Sequence, residues 1–191
     1  MEKLLKDNGI VEDCGLEVSG SLAEDFSCGH DGSHKSTPEM SAKAPSVSFT
    51  GAKAGMKYCL ICTDPDAPSR AEPLFREFIH WVVSDVLSEK AETIVNYLGP
   101  GPPCNSGLHR YVFLLFEQPD TADVKSLAAA FDGRGGKKAF ASAKAAGLGS
   151  LVAADFYEAE WDESVDAVHE SIGFTPPERY MSPKQKANCS A

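Results

Sequence analysis

Residues 111–116 read Tyr-Val-Phe-Leu-Leu-Phe, three aromatic and three aliphatic side chains in a row. The run is too short for a buried helix and rich in residues that suit a pleated backbone, so it predicts a strand covered on both faces. Two runs of the same kind precede it, Tyr58-Cys-Leu-Ile-Cys-Thr63 and Phe78-Ile-His-Trp-Val-Val83. Asp64-Pro65 stops the first of these. The spacers between the runs hold prolines and turn residues but no amphipathic helix. Parallel strands need such a helix to cross over, so the pairing is predicted to be antiparallel and Greek-key-like, in a mainly β fold with 111–116 as a central strand.

Working outward, Val47-Ser-Phe49 alternates as a half-buried strand should, and Leu16-Glu-Val18 and Asp155-Phe-Tyr-Glu-Ala-Glu-Trp161 are further strand candidates. Residues 2–8 can form a short helix capped by Gly9. Val124–Phe131 and Lys137–Ala146 carry helical propensity. Asp162–Ile172 places Val165, Val168 and Ile172 on one helical face. Residues 20–45 read as loop. The Pro-Pro, Lys and Ser content of 174–191 predicts a flexible tail. One domain over 1–173 follows, and 191 residues suffice for a sizeable core.

A net charge of −10 argues against a general nucleic-acid binder and against broad adhesion to anionic membranes. One anion can still be held at close range in a local pocket. The opening residues lack an apolar signal core, and no stretch approaches the roughly 18 apolar residues of a membrane span, so a cytoplasmic protein with at most peripheral membrane contact is expected. The six cysteines, at 14, 28, 59, 62, 104 and 189, then read as free thiols.

Two segments carry the chemistry. The first is Asp64-Pro-Asp-Ala-Pro-Ser-Arg70 with His80 ten residues on. Pro65 and Pro68 fix two backbone angles, and the aspartates can cap turns, so a rigid connecting loop with Arg70 paired to Asp66 explains the run without any ligand. A sharper reading turns one carboxylate inward to hold an imidazole. A lone His80 inside an apolar strand is more often a satisfied core residue than a ligand. Strict alternation would put it on one face with Phe78 and Val82. The second segment is Gly99-Pro-Gly-Pro-Pro103 followed by Gly107-Leu-His-Arg-Tyr111. His109 and Tyr111 point to one side, and two imidazoles, a phenol and an aspartate at strand ends would make an anion site. Pro100, Pro102 and Pro103 have no N–H to offer, so that segment is a stiff rim and not a phosphate cradle.

Other motifs read blandly. Gly133-Arg-Gly-Gly-Lys-Lys138 fails as a P-loop, with Phe131 where a glycine should stand. Cys59 and Cys62 sit within a strand and face opposite sides. Cys28-Gly-His30-Asp31-Gly-Ser-His34 is metal-flavoured but has no second ligand pair nearby, so neither metal nor cofactor is expected. No Gly-x-Ser-x-Gly elbow is present. Cys104 is the sole candidate nucleophile. Ser182-Pro183 in the tail matches a proline-directed phosphorylation site, although a plain disordered end is the more common explanation of such a segment.

Taken together, these segments resemble the phosphatidylethanolamine-binding protein family, also called the Raf kinase inhibitor protein family, from about Leu16 to Ile172. The resemblance implies a central antiparallel sheet, a second small sheet, peripheral helices, and a surface cavity for phosphate-like anions and phospholipid head groups. Asp64, His80, Pro102, Pro103, Gly107, His109 and Tyr111 fall on the family's pocket pattern. Tyr157 matches the aromatic that closes the cavity, while Asp66, Pro68 and Arg70 match its support. Arg76-Glu-Phe-Ile-His-Trp81 is similar to the plant flowering-regulator branch and Gly107–Tyr111 to the animal branch. Phe78 occupies a pocket-edge position that varies between branches. The expected function is a non-enzymatic binding protein for a phosphate-containing ligand or phosphorylated partner, acting on signalling proteins such as protein kinases. The alternatives are a serine protease inhibitor acting through loop 20–45 and a hydrolase using His109 with Cys104 or water.

Overall fold

The computed structural model describes residues 1–18, 21–28 and 32–189. In chain order the elements are α1 (Glu2–Asp7), α2 (Ile10–Asp13), β1 (Phe26–Cys28), β2 (Val47–Phe49), β3 (Lys57–Asp64), β4 (Phe78–Ser84), β5 (Glu92–Val95) and β6 (His109–Gln118). Then follow α3 (Ser126–Ala130), α4 (Ala139–Ala145), β7 (Leu151–Ala159), α5 (Val165–Ser171), a 3-10 turn (Glu178–Tyr180) and α6 (Pro183–Cys189).

Five strands form one antiparallel sheet in the order β5-β4-β3-β6-β7, and β1 pairs with β2 in a small second sheet. Strands β3, β4 and β5 follow one another as neighbours, and β6 returns to lie beside β3. That is the Greek-key order the sequence predicts. The returning chain, residues 96–108, must cross the ends of β4 and β3. This crossing brings the glycine-proline rim to His80 and Asp64.

Both faces of the large sheet are covered, which explains the uninterrupted apolar runs. Cys59, Ile61, Val112, Leu114 and Phe116 pack under α1 to α4, while Tyr58, Leu60, Cys62, Phe113 and Leu115 pack against Phe26 and Cys28 of the small sheet. Cys59 and Cys62 therefore do face opposite ways.

β6 is an interior strand, flanked by β3 and β7, as its apolar run predicts. Other expectations are corrected. Leu16–Val18 is irregular, and β1 forms inside the segment read as loop. Here tertiary pairing overrides local pattern, since Phe26 and Cys28 are buried under the sheet. β5 is mostly exposed, so it lacked an apolar signature. The segment after residue 173, expected to be a flexible tail, folds back as the 3-10 turn and α6. Polar contacts hold it, and hydrophobic patterning does not report those. β4 also departs from strict alternation. Trp81 opposes Cys62 and Ile79 opposes Thr63, so His80 is an extra, unpaired residue. This bulge moves Ile79 onto the helix-covered face with Val82, leaving His80 re-aimed at the strand end.

Candidate ligand-binding site

A cavity of about 50 Å³ lies where β3, β4 and β6 end. Asp64, Pro68, Phe78, His80, Pro103 and His109 line it, with α5 as the far wall. On the scale at which one water needs roughly 10–15 Å³, it has room for a small polar group.

Its base is set by two carboxylates two residues apart. Asp64 Oδ1 accepts the Asp66 backbone N–H at 2.6 Å, and Oδ2 meets His109 Nδ1 at 2.8 Å. Asp66 turns the other way, into the protein. Arg110, 1 % exposed, donates to it from Nε at 2.8 Å, from Nη2 at 2.6 Å and from its backbone N–H at 2.9 Å. Burial alone would raise the Asp66 carboxyl, but the Arg110 guanidinium outweighs it and the net displacement is downward. Arg70 adds a contact at 3.3 Å and ties the loop to Glu158 of β7 at 2.9 Å. Arg110 also reaches Asp13 at 2.6 Å and the Asn8 carbonyl at 2.5 Å. Gly9, at φ +66°, makes the turn between α1 and α2 possible, and a Cβ there would stand 3.4 Å from that guanidinium. The proline loop is thus fixed from below by a buried ionic network.

The two histidines differ in what they leave free. His109 is bonded at both nitrogens, to Asp64 through Nδ1 and to Ser106 Oγ through Nε2 at 3.0 Å. Ser106, His109 and Asp64 have the order and spacing of a hydrolase triad, but the Ser106 hydroxyl donates to the Pro103 carbonyl at 2.6 Å, so its proton is not directed at the imidazole. His80 donates from Nδ1 to the Leu98 carbonyl at 2.8 Å, and Nε2 has no partner among the described residues. Burial lowers the His80 imidazole below its ordinary value, against a pull upward from Asp64. Tyr111 stands behind His80, ring centroids 5.1 Å apart, with its hydroxyl buried and unpaired. Burial pushes that phenol up, so it stays a neutral donor.

A family model described as phosphatidylethanolamine-binding protein matches residues 16–157, most of the chain. The chain belongs to the phosphatidylethanolamine-binding protein family. It is 37% identical over 140 residues to an uncharacterized yeast protein, YLR179C of Saccharomyces cerevisiae, covering 64% of this chain and 69% of that one. Among solved structures, a carboxypeptidase Y inhibitor in complex with its cognate proteinase aligns at TM-score 0.64 and 26% identity, over 84% of this chain and 94% of the other. The phosphatidylethanolamine-binding protein of Plasmodium vivax shares the fold at TM-score 0.66 and 18% identity, over 84% and 97%.

The cavity of this family member collects six of the twelve residues singled out from the sequence. The others fall around it or away from it. Pro102 is buried in the rim behind Pro103, and Gly107 is exposed at φ +80°. Tyr111 backs His80, while Asp66 and Arg70 hold the loop. Tyr157 is the correction. Its ring stacks on Tyr111 at 5.4 Å and lines a separate cleft with Tyr97 and Ser41, on the small-sheet side. The side chain that closes the cavity is instead His169 of α5, whose Nε2 lies 2.9 Å from the Gly101 carbonyl. Val168, Ile172 and Phe174 complete that wall. The helical face of Val168 and Ile172 was visible in the sequence, yet it reads equally as core. The place of His169 on the cavity wall had no signal apart from its position between them.

Other candidates lie outside the site. Burial pushes the thiols of Cys14, Cys28 and Cys62 up and that of Cys59 to about 12, which removes them as nucleophiles. In the metal-flavoured segment His30 and Asp31 lie outside the described residues, and among the described residues no group of three His, Cys, Asp or Glu is placed to hold a metal. Among the described residues, no helix is long and apolar enough to cross a membrane.

Proposed function

We propose that this protein is a non-enzymatic binding protein whose cavity takes a phosphate-type group, from a lipid head group or a phosphorylated partner, and so acts on signalling proteins in the cytoplasm, kinases among them. The observation that carries the reading is the unpartnered Nε2 of His80, in a cavity whose other two histidines, His109 and His169, are bonded at both nitrogens. A protonated His80 would donate to the anion at short range, with the Asp64–His109 pair fixing the rim opposite. The committed Ser106 hydroxyl supports a binding role over catalysis. Chemical-shift titration with O-phosphorylethanolamine, at about pH 6 and about pH 7.5 on either side of the ordinary imidazole value, tests it. Saturable shifts at His80, tighter at the lower pH, are expected. Their absence at both would defeat the reading.

Protease inhibition is a second reading, favoured by the likeness to the carboxypeptidase Y inhibitor. Inhibition of that proteinase, retained when His80 is replaced, would move the function from the cavity to an outer loop such as 20–45.

A further inference from the structure

Residues 175–189 leave the end of α5, cross to the proline loop, and return to α5. On the outward leg Arg179 pairs with Glu72, and the Tyr180 hydroxyl donates to Ser69 Oγ at 2.9 Å. On the return leg the Ser182 hydroxyl donates to Asp166 Oδ2 at 2.7 Å, Gln185 Nε2 donates to His169 Nδ1 at 3.0 Å, and Lys184 pairs with Glu170 at 2.9 Å. The segment is therefore a strap joining the two walls of the cavity, Ala67 and Pro68 on one side and Val168 and His169 on the other.

Polar contacts, and not apolar burial, hold the return leg. No side chain of α6 from residue 183 to 188 is buried. Segments docked this way open locally more readily than core elements do. At the centre of the contact is Ser182, 1 % exposed, against Asp166, 4 % exposed. Asp166 Oδ1 is buried with no hydrogen-bond partner, so the carboxylate relies on the one serine hydroxyl. Gln185 is bound to the same serine, its N–H donating to Ser182 Oγ at 3.1 Å and its Oε1 accepting the Ser182 N–H at 3.0 Å. Met181 before it is extended, and Pro183 follows. Once the strap opens, the segment offers an extended serine-proline site.

We propose that Ser182 is a phosphorylation site and that its modification holds the 175–189 strap off the cavity wall. A proline-directed kinase would transfer the γ-phosphoryl group of ATP to Ser182 Oγ. A P–O bond forms there, the hydroxyl proton is lost, and ADP leaves. The product carries close to two negative charges in place of a donor. Redocked, it would face a buried carboxylate with an unpaired oxygen and no hydrogen left to give. Lys184, two residues on, is already paired with Glu170 at 2.9 Å. The repulsion keeps the return leg open, removes Gln185 from His169, and loosens the α5 wall.

The test uses the full chain, MgATP and a proline-directed serine/threonine kinase, with peptide mapping by mass and amide hydrogen exchange of the purified product. Phosphate is expected on Ser182 and absent from that peptide in Ser182→Ala. Exchange across the return leg, 182–189, should quicken by tenfold or more, and Asp166→Asn, which keeps an acceptor but drops the charge, should restore slow exchange to the phosphorylated chain. No incorporation at Ser182 would overturn the proposal. So would unchanged exchange in the phosphorylated chain, or a strap equally loose with Asn at 166. Both readouts are taken without ligand, so their failure is distinct from failure of the anion-binding reading.

Discussion

Asp64 and Asp66 leave the same strand end two residues apart and meet opposite surroundings. Asp66 is buried against a bidentate guanidinium, with every oxygen used and a second arginine beside it. Asp64 faces a cavity, and its partner is an imidazole whose neighbour, His80, keeps one nitrogen free. One half of the motif is scaffold and the other half is site. Pro65 between them fixes the turn that separates the two directions. The stiffness of the loop is what lets a cavity keep an unpartnered polar atom, since the surrounding structure holds it in place.

The contrast breaks most severely at its scaffold end. Arg110→Ala would strip Asp66 of its bidentate partner and leave it only the outer contact from Arg70, and removing one partner of a buried pair costs about 3–5 kcal/mol. Denaturant unfolding should show that loss, and the cavity should lose ligand binding with it. The same pair sets the acid limit. Because the Asp66 carboxyl lies below its ordinary value in the folded state, its contribution is present above that ordinary value and disappears as pH falls through the lowered one.

A third carboxylate sharpens the comparison because burial there outweighs the pull of the cation acting on it, Lys138. Glu77 is fully buried, accepts the Ala139 N–H at 2.9 Å through Oε1, and has no partner at Oε2. Burial raises it to about 7. Its folded-state value lies above the unfolded one, so stability is intact in acid and drains as pH rises through about 7. Glu77→Gln should remove that slope. At pH values above 7 the variant should be more stable than the natural protein by on the order of 2–3 kcal/mol, measured by thermal or denaturant unfolding across pH.

Smaller effects belong to the site half. His80→Gln should leave the fold intact while weakening phosphate-type ligands about tenfold or more, the equivalent of one charge-assisted hydrogen bond. Ser106→Ala frees His109 Nε2 without touching Asp64, and should change stability by no more than about 1 kcal/mol. It should alter the pH dependence of ligand binding, because a second imidazole nitrogen then becomes available, and calorimetric titration of the variant checks this.

The sheet was legible because both its faces are buried. Continuous apolar runs at 58–63, 78–83 and 111–116 leave little else to be, and the proline-rich spacers exclude parallel crossovers. The strand-end half of the cavity lining was legible mainly through the family resemblance, because turn chemistry and core packing explain the same aspartate, histidine and proline residues without any ligand. The α5 half was not. His169, Val168 and Ile172 form an ordinary amphipathic face, and only the tertiary position of α5 turns that face toward the cavity. Tyr157 shows the converse error, where an aromatic in a site-like stretch packs on the far side of Tyr111. The bulge at His80 was invisible too, because a single unpaired residue leaves the composition of the run unchanged. The strap depends on single contacts such as Ser182 with Asp166, sixteen residues apart in sequence, which no periodicity encodes.

Calorimetric titration of the natural protein and His80→Gln with O-phosphorylethanolamine, from about pH 5.5 to about pH 8 in buffers of different ionisation enthalpy, tests the central claim most directly. The free protein holds His80 below its ordinary value through burial, and an anion favours its charged form. Binding should therefore take up a proton and weaken as pH rises, and in His80→Gln it should be about tenfold or more weaker, without the proton uptake. An affinity that stays level across that range, or equal affinity in the variant, would contradict the account.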